Sequence, residues 1–292
     1  MNFQKPEADL HIHTHYSDGV MSPSEIIEYA KRKNLLAISV TDHDTVNGID
    51  ESIKSASKTD LILIPGIELS TEYQSSEIHI LCYFINHQNK SLTKLLEKLY
   101  EERLEIAETI IKNLSSQGIE LNWNYIKSTS KKSIGRPHIA REMVKKGYVK
   151  TISEAFEKYL NNKEKLKLPS KILNSCDGIN IVKESGGISA IAHPHTVINL
   201  ERILPDLSNA GLSGLEINNV RYNQSKKDEF EKLADNFNLI STGGSDFHTN
   251  DSKNKLGDSG VPLKTVKNMM ERAISIHQEK VGWIDERLLK ND

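Results

Sequence analysis

Cysteine and long apolar runs are both scarce in this sequence of 292 residues. Cys82 and Cys176 are its only cysteines, which argues against a disulfide framework and against a cysteine-rich zinc site. No stretch approaches the roughly 20 apolar residues of a transmembrane helix. The opening MNFQKPEADL also lacks the apolar run of a signal peptide. These absences predict a cytoplasmic protein without a membrane partner, and no feature indicates an obligate protein partner.

The net charge of −2 conceals an uneven distribution of charge along the chain. Residues 89–177 carry 18 Lys and Arg against 11 Asp and Glu, whereas the remainder carries 20 against 29. A basic block in an acidic chain is typical of an anionic partner that approaches the block. A lysine-rich solvated surface explains the same counts equally well.

Apolar runs of strand length alternate with amphipathic helices in both outer parts of the chain. The first helix is indicated by Ser22 as its N-cap, Pro23 at its first position and Glu25 completing a capping box. About seven parallel-type strands are predicted, at DLHIH, LLAISV, LILIPGIELS, EIHILCYFI, ISAIA, GLEIN and LISTGG. This alternation favours an α/β fold, a (β/α) barrel whose site forms at the C-terminal ends of the strands.

The middle of the chain changes to a helical pattern. A long amphipathic helix is predicted over 91–116, a second over 137–146, and a third after the cap at Thr151. KEKLKLPSK, at 163–171, resembles a linker that returns to the barrel. We therefore predict a barrel formed by residues 1–88 and 178–292, interrupted by a small helical insertion subdomain at 89–177.

Metal-ligating side chains stand at six different strand ends or just beyond them. In a barrel these ends surround one mouth, so we expect the side chains to bind two or three divalent ions. Imidazole and carboxylate without thiolate suit Mn²⁺, Fe²⁺ or Zn²⁺. The nine predicted ligands are His11, His13, Asp18, His43, Glu68, His79, His193, Asp246 and His248.

Six motifs in this order, HIHTHYSDG, TDHD, PGIE, HIL, AHP and GSDFH, resemble the PHP (polymerase and histidinol phosphatase) domain of metal-dependent phosphoesterases. The motif GRPHIAR at 135–141 further resembles a branch that acts on 3′,5′-bisphosphonucleotides and short oligoribonucleotides. The resemblance implies a distorted (β/α)₇ barrel and a trinuclear metal centre. The implied ligand sets are His11, His13, Glu68 and Asp246; Glu68, His79 and His193; and Asp18, His43 and His248.

Catalytic roles are predicted for four of these ligands, namely Asp18, His43, Glu68 and Asp246. For substrate, the resemblance implies that Arg136 and His138 reach from the insertion to a phosphate. Arg103 lies on the apolar face of the long helix, where it either snorkels outward or points into the cleft between insertion and barrel. His195 is predicted at the rim of the site. The branch often has Arg two residues after the AHP proline, where this sequence has Thr196.

The function expected from these residues is hydrolysis of nucleotide phosphate esters by a metal-activated hydroxide, without a phosphoenzyme. Three alternatives stay open at this point. One is a small-molecule phosphatase of the histidinol-phosphate type. The second is metal-dependent C–N hydrolysis, which the basic insertion and Arg136 disfavour. The third is a non-catalytic metal-binding regulatory module.

Overall fold

The computed structural model describes residues 5–129, 133–161, 166, 173–250 and 254–289. Its strands are β1 Ala8–Ile12, β2 Ala37–Val40, β3 Ile62–Tyr73, β4 Ser76–Tyr83, β5 Ile188–Ile191, β6 Gly214–Asn218 and β7 Ile240–Gly243. Its α-helices are α1 Pro23–Arg32, α2 Ile49–Ala56, α3 Lys90–Ser115, α4 Trp123–Thr129, α5 Arg136–Lys145, α6 Ile152–Ala155, α7 Ser175–Glu184, α8 Leu200–Ala210, α9 Gln224–Asn236 and α10 Leu263–His277. A single π-helical turn at Phe156–Leu160 continues α6.

The seven strands form one sheet in sequence order, from β1 to β7. The first three strands are parallel, and so are the last three. Beyond β7, Phe247 forms a parallel bridge with Ile12 of β1, which brings the two edges of the sheet together. The predicted α/β architecture of seven strands surrounded by helices is therefore confirmed.

One strand departs from the predicted parallel arrangement. Strand β4 runs antiparallel to both of its neighbours, β3 and β5. Only Gln74 and Ser75 separate β3 from β4, and both have positive φ, at 48° and 62°. A connection of two residues is a hairpin turn and permits only antiparallel pairing. The barrel is mixed because this tight turn replaces a helical crossover.

Two helices were not predicted from the sequence. They are α4 and α8, and α8 contains Pro205 in its interior. Proline disfavours a helix interior because it removes a backbone donor, but α8 buries a full apolar stripe of Leu200, Ile203, Leu204 and Leu207. Packing of this stripe outweighs the local penalty. The predicted capping box at Ser22 and Glu25 is confirmed.

Helix α3 contributes to two separate hydrophobic clusters. Its first half places Leu92, Leu96 and Leu99 in the main cluster of the barrel. Its second half packs with α4, α5 and α6 in a cluster that includes Ala107 and Ile110. The segment predicted as an insertion thus has a core of its own, joined to the barrel by one continuous helix. All of the predicted linker at 163–171 except Leu166 lies outside the described residues.

No helix in the described ranges is long and apolar enough to cross a membrane.

Gly66 lies where β3 packs closely against both of its neighbouring strands. A Cβ at this position would lie 2.4 Å from Ser39 Oγ and 2.9 Å from the backbone oxygen of Cys82. We expect Gly66→Ala to lower the free energy of unfolding by about 1–3 kcal/mol because the strands must separate. Urea denaturation followed by circular dichroism measures this loss.

Gly118→Ala is the control, since nothing lies within 4 Å of its Cβ position. That substitution measures the cost of a left-handed backbone alone, about 1–2 kcal/mol. A Gly66→Ala protein with the same free energy of unfolding as the wild type would contradict the crowding at Gly66.

Candidate metal centre

All nine predicted ligands lie at one end of the sheet. Strand β1 carries His11, β3 carries Glu68 and β4 carries His79. The other six stand in segments that follow β1, β2, β5 and β7, namely His13, Asp18, His43, His193, Asp246 and His248. Because the segments that leave these strands meet at one mouth, residues separated by more than 200 positions in sequence become neighbours.

Glu68 is the centre of the cluster and is completely buried. Its Oε2 lies 3.2 Å from Nε2 of His11, 3.2 Å from Nε2 of His13 and 3.1 Å from Nδ1 of His43. The backbone bridge between His43 and Glu68 holds β3 and the segment after β2 side by side. One carboxylate oxygen therefore lies within 3.2 Å of three imidazoles from two different segments of the chain.

The second oxygen of Glu68 faces two further imidazoles. Oε1 lies 3.0 Å from Nδ1 of His79 and 3.1 Å from Nε2 of His193. His193 has a left-handed backbone with φ of 30°, and its N–H donates to Glu216 at 2.7 Å. This hydrogen bond holds the strained turn that aims His193 at Glu68.

Two more carboxylates border the cluster on its open side. Asp246 Oδ1 lies 3.4 Å from His11 Nε2, 3.3 Å from His13 Nε2 and 3.5 Å from His248 Nδ1. Asp18 Oδ1 lies 3.2 Å from His248 Nε2, and its Oδ2 lies 3.8 Å from His43 Nε2. His13 lies between the two carboxylates.

The donor atoms fall into three groups, each with atoms within 4.8 Å of one another. One group contains the predicted set of Asp18, His43 and His248, with His13 added. A second group is the predicted set of four without Glu68. The remaining group pairs Glu68 and His79 with His43, whereas His193 was predicted. The groups are His11, His13 and Asp246; His13, Asp18, His43 and His248; and His43, Glu68 and His79.

The chemistry of these side chains fits divalent metal ions. Both ring nitrogens of His13 and Nδ1 of His43 are buried, and they make no hydrogen bond of acceptable geometry with any residue of the described ranges. Buried polar atoms normally have a partner, and an imidazole nitrogen with a free lone pair is a common metal ligand. Imidazole and carboxylate donors together suit Mn²⁺, Fe²⁺ and Zn²⁺.

Electrostatics point the same way. Burial disfavours the ionised form of Glu68, but the surrounding imidazoles outweigh it and hold the pKa of Glu68 well below its usual range. The pKa values of Asp18 and Asp246 are lowered in the same manner, against the effect of burial. Burial lowers the pKa of His43 to about 3. For His13 and His79, by contrast, the neighbouring carboxylates outweigh burial and raise the pKa to about 10 and about 9. The buried anions therefore require nearby positive charge, which divalent ions would supply in place of the protons on these imidazoles.

Glu216 is a functional residue that sequence reasoning missed. It is completely buried on β6, and its Oε1 lies 2.9 Å from Nδ1 of His11. A carboxylate on one ring nitrogen fixes the tautomer and leaves the other nitrogen free to bind a metal. The available signal was a single acid inside the apolar strand GLEIN.

Asp9 is the second missed residue. It accepts hydrogen bonds from the backbone N–H and the hydroxyl of Ser245, at 2.9 and 2.6 Å. Gly257 N–H donates to the same carboxylate at 2.8 Å. These bonds hold the segment that carries Asp246 against β1. Burial raises the pKa of Asp9 to about 6.

Asp42 holds the loop that carries Asp18. Its carboxylate accepts from Thr14 N–H at 2.7 Å, from the Thr14 hydroxyl at 2.6 Å and from the Ser17 hydroxyl at 2.6 Å. Asp42 does not cap α2, because the N-cap of that helix is Gly48 and no side chain bonds there.

Residues of the insertion also form hydrogen bonds with the loop that carries Asp18. His138 is buried, its Nδ1 accepts from Gly135 N–H at 3.1 Å, and its Nε2 donates to the backbone oxygen of Ser17 at 3.0 Å. Arg141 donates to the backbone oxygen of Asp18. Both nitrogens of His138 are therefore engaged by the protein, although a phosphate contact was predicted.

Arg103 joins the insertion to the barrel. Its guanidinium donates to Asp44 at 2.7 Å, to the Ser70 hydroxyl at 2.8 Å and to the backbone oxygen of Ile134 at 3.0 Å. Asp44 follows His43, and Ser70 lies two residues after Glu68. Arg103 thus points into the cleft between insertion and barrel, one of its two predicted orientations, and all three of its nitrogens are bonded there.

Arg136 is held more loosely than Arg103. Its guanidinium lies 3.4 Å from the backbone oxygen of Leu160 and 3.6 Å from Glu77 Oε2, and its Cζ lies 6.0 Å from the centre of the Phe156 ring. The side chain is 28% exposed. Arg136 can therefore meet an anion without breaking a short hydrogen bond.

A cavity of about 760 Å³, including its open mouth, separates the insertion from the barrel. Its lining combines Asp18, His43 and His79 with apolar residues of the insertion, namely Ile106, Ala107, Ile110 and Phe156. Arg136 also lines it. A lining with both metal-ligating and apolar side chains suits an amphipathic ligand.

His195 and Thr196 lie on the other side of the centre. His195 Nδ1 lies 2.9 Å from the hydroxyl of Tyr222, and its ring centre lies 6.4 Å from that of His193. Thr196 Oγ1 lies 3.2 Å from His193 Nδ1. His195 is exposed, and its place at the rim of the site stays a prediction. Thr196 helps to orient His193.

A barrel with imidazoles and carboxylates gathered at its mouth defines a metal-dependent hydrolase. The sequence model of the PHP domain matches residues 9–165. The chain belongs to the PHP family and is a metal-dependent phosphoesterase, a hydrolase that acts on phosphoric ester bonds.

Curated relatives and solved structures agree with this assignment. A 5′-3′ exoribonuclease of Haemophilus influenzae is 30% identical over 82% of this chain and 89% of its own length. A 3′,5′-nucleoside bisphosphate phosphatase of Chromobacterium violaceum is 29% identical, over 82% of this chain and 86% of the relative. A solved structure from Bifidobacterium adolescentis, described as a metal-dependent phosphoesterase, matches with a TM-score of 0.85 at 27% identity, covering 92% of this chain and 98% of that one.

Glu216 allows a test of how the centre is held. Glu216→Gln keeps the shape of the side chain but replaces one carboxylate oxygen with an NH₂ group that cannot accept a hydrogen bond. We expect metal affinity to fall by about 10–100-fold, while the circular dichroism spectrum stays unchanged. Metal content after dialysis against buffered Mn²⁺ measures the change. Exposed Glu231→Gln on α9 is the control, and equal metal content in the two variants would contradict the role of Glu216.

Proposed function

We propose that this phosphoesterase hydrolyses phosphate esters of nucleotides, either 3′,5′-bisphosphonucleotides or short oligoribonucleotides. The observation that carries the proposal is the cavity that opens from the ligand cluster toward Arg136 and an apolar wall. A phosphate placed against Asp18, His43 and His79 leaves its ester group facing Ile106 and Ile110. The names of the relatives from Haemophilus influenzae and Chromobacterium violaceum support a nucleotide as the substrate.

We infer that the centre holds three divalent ions, of Mn²⁺, Fe²⁺ or Zn²⁺. The three groups of donor atoms support three positions, and Glu68 lies close enough to five imidazoles to serve two ions at once. His193 joins the group of Glu68 and His79 through the contact of 3.1 Å with Glu68. Bound ions of this kind lower the pKa of a water molecule and neutralise phosphoryl oxygens.

The side chains of this chain then have separate tasks. Arg136 offers a guanidinium that pairs with phosphate oxygens, an interaction stronger than a neutral hydrogen bond. The apolar wall packs against the nucleoside and excludes water. Arg103 and His138 act as positioning residues, since the protein already occupies their nitrogens. Asp18, His43, Glu68 and Asp246 would hold divalent ions beside the reacting phosphate.

Removal of metal tests the proposal most directly. Dialysis against a chelator should abolish hydrolysis of adenosine 3′,5′-bisphosphate, and Mn²⁺ should restore it, because the phosphoester is not attacked by a protein nucleophile. Asp18→Ala and His43→Ala should each reduce turnover by at least about 100-fold while the protein stays folded. Near-normal turnover in a metal-stripped sample would refute the mechanism.

A panel of substrates distinguishes the nucleotide proposal from a phosphatase of the histidinol-phosphate type. Adenosine 3′,5′-bisphosphate, AMP, a short oligoribonucleotide and histidinol phosphate are compared at equal concentrations of Mn²⁺. We expect the nucleotides to have the highest kcat/KM, since only they fill both the polar and the apolar side of the cavity. A higher kcat/KM for histidinol phosphate would assign the enzyme to the other class.

Arg136→Ala isolates the contact between the insertion and the substrate. Loss of the guanidinium should raise KM for the nucleotide by about tenfold or more, with a smaller change in kcat. Steady-state kinetics measure both constants. Lys150→Ala removes an exposed cation from the same segment and serves as the control. If both variants behaved alike, Arg136 would have no specific part in binding.

A further inference from the structure

Glu77 stands between the metal centre and the insertion. It lies on β4, two residues before His79, so both side chains point to the same face of that strand. Both also line the cavity that separates the insertion from the barrel. The side chain of Glu77 is 22% exposed, so water and salt screen its charge only in part. This acid had no predicted role.

One partner of Glu77 is a metal-ligating histidine. Oε1 of Glu77 lies 3.6 Å from Nε2 of His79, whose Nδ1 lies 3.0 Å from Oε1 of Glu68. His79 therefore turns one ring nitrogen to the metal centre and the other to Glu77. A carboxylate beside the outer nitrogen of a ligating imidazole fixes its tautomer and raises its basicity. At 3.6 Å, which is longer than a hydrogen bond, this effect is not yet at full strength.

The other partner is Arg136 of the insertion. Its Nη2 lies 3.6 Å from Oε2 of Glu77. This ion pair crosses the cavity from the barrel to the insertion, and it too is longer than a hydrogen bond. The two oxygens of one carboxylate thus face two different partners at the same distance. Glu77 is shared between a metal ligand and a guanidinium that lines the cavity.

We propose that Glu77 couples phosphate binding at Arg136 to metal binding at His79. The inference rests on the proposed function, in which Arg136 pairs with a phosphate oxygen. A phosphate draws the guanidinium away from Glu77, because the two anions compete for the same N–H donors. The released carboxylate then closes on the Nε2–H of His79 and strengthens this imidazole as a ligand. Phosphate therefore tightens metal binding, and metal tightens phosphate binding by the same factor.

The test measures how much inorganic phosphate changes the affinity for Mn²⁺. Chelator-stripped protein is titrated with Mn²⁺ in a calorimeter, with and without phosphate, for the wild type, Glu77→Gln, Arg136→Ala and the double variant. Glutamine keeps one acceptor oxygen for His79 but presents an uncharged NH₂ group to Arg136. Without phosphate, Glu77→Gln should therefore bind Mn²⁺ with nearly the wild-type affinity. The increase in affinity caused by phosphate should fall by about fivefold or more in each single variant.

The double variant decides whether the two residues act together. Phosphate also contacts the bound ions directly, and that part of the increase remains in every variant. The double variant should lose no more than the single variants, because the same contact is broken in all three. An unchanged phosphate effect in Glu77→Gln, or losses that multiply in the double variant, would overturn the inference. Glu72→Gln, at the position of β3 that pairs with Glu77, is the control and should keep the wild-type effect.

Two further measurements keep the outcome unambiguous. Glu77→Asp keeps the charge but is too short to face both partners, so it should lose the phosphate effect as well, and it replaces Glu77→Gln if circular dichroism shows that variant to be unfolded. Hydrolysis of adenosine 3′,5′-bisphosphate is assayed separately. If the wild-type protein does not hydrolyse it, the proposed function fails, whereas the calorimetric comparison needs no turnover and judges the role of Glu77 by itself.

Discussion

The buried carboxylate of Glu68 is the constraint on which the rest of the site depends. An ionised group without exposure to water is costly unless opposite charge or metal surrounds it. Here five imidazoles from four segments of the chain approach its two oxygens within 3.2 Å. Each strand or loop that carries one of these imidazoles is therefore positioned relative to the two carboxylate oxygens of Glu68. The antiparallel course of β4 belongs to this requirement, because it places His79 beside Glu68.

The fold class and the nine candidate ligands could be predicted from sequence because each ligand follows an apolar run within a recognisable motif. Glu216 and Asp9 could not be, because each is a single acid with a partner more than 200 positions away in sequence. The antiparallel course of β4 was not predicted because the connection Gln74-Ser75 contains no glycine, which commonly marks a hairpin turn. Helix α8 was not predicted because Pro205 disfavours a helix interior, and only tertiary packing outweighs this preference.

The loop from Thr14 to Asp18 is held by hydrogen bonds from both the barrel and the insertion. Asp42 bonds to Thr14 and Ser17 from the barrel side, and His138 bonds to Ser17 from the insertion side. Arg103 adds a second connection through Asp44 and Ser70. A motif that resembles a substrate-binding element therefore also holds the backbone beside Asp18. Position of the insertion and geometry of the metal centre are coupled through these hydrogen bonds.

The chain leaves the barrel after β4 and returns to β5, and these two strands pair directly with each other. Both ends of the intervening segment are thus fixed by hydrogen bonds that do not involve it, and the second half of α3 belongs to a separate core. A change in the length of this segment would therefore leave the pairing of β4 with β5 in place. It would instead be felt at the loop that carries Asp18, which His138 and Arg141 of the segment hold by hydrogen bonds.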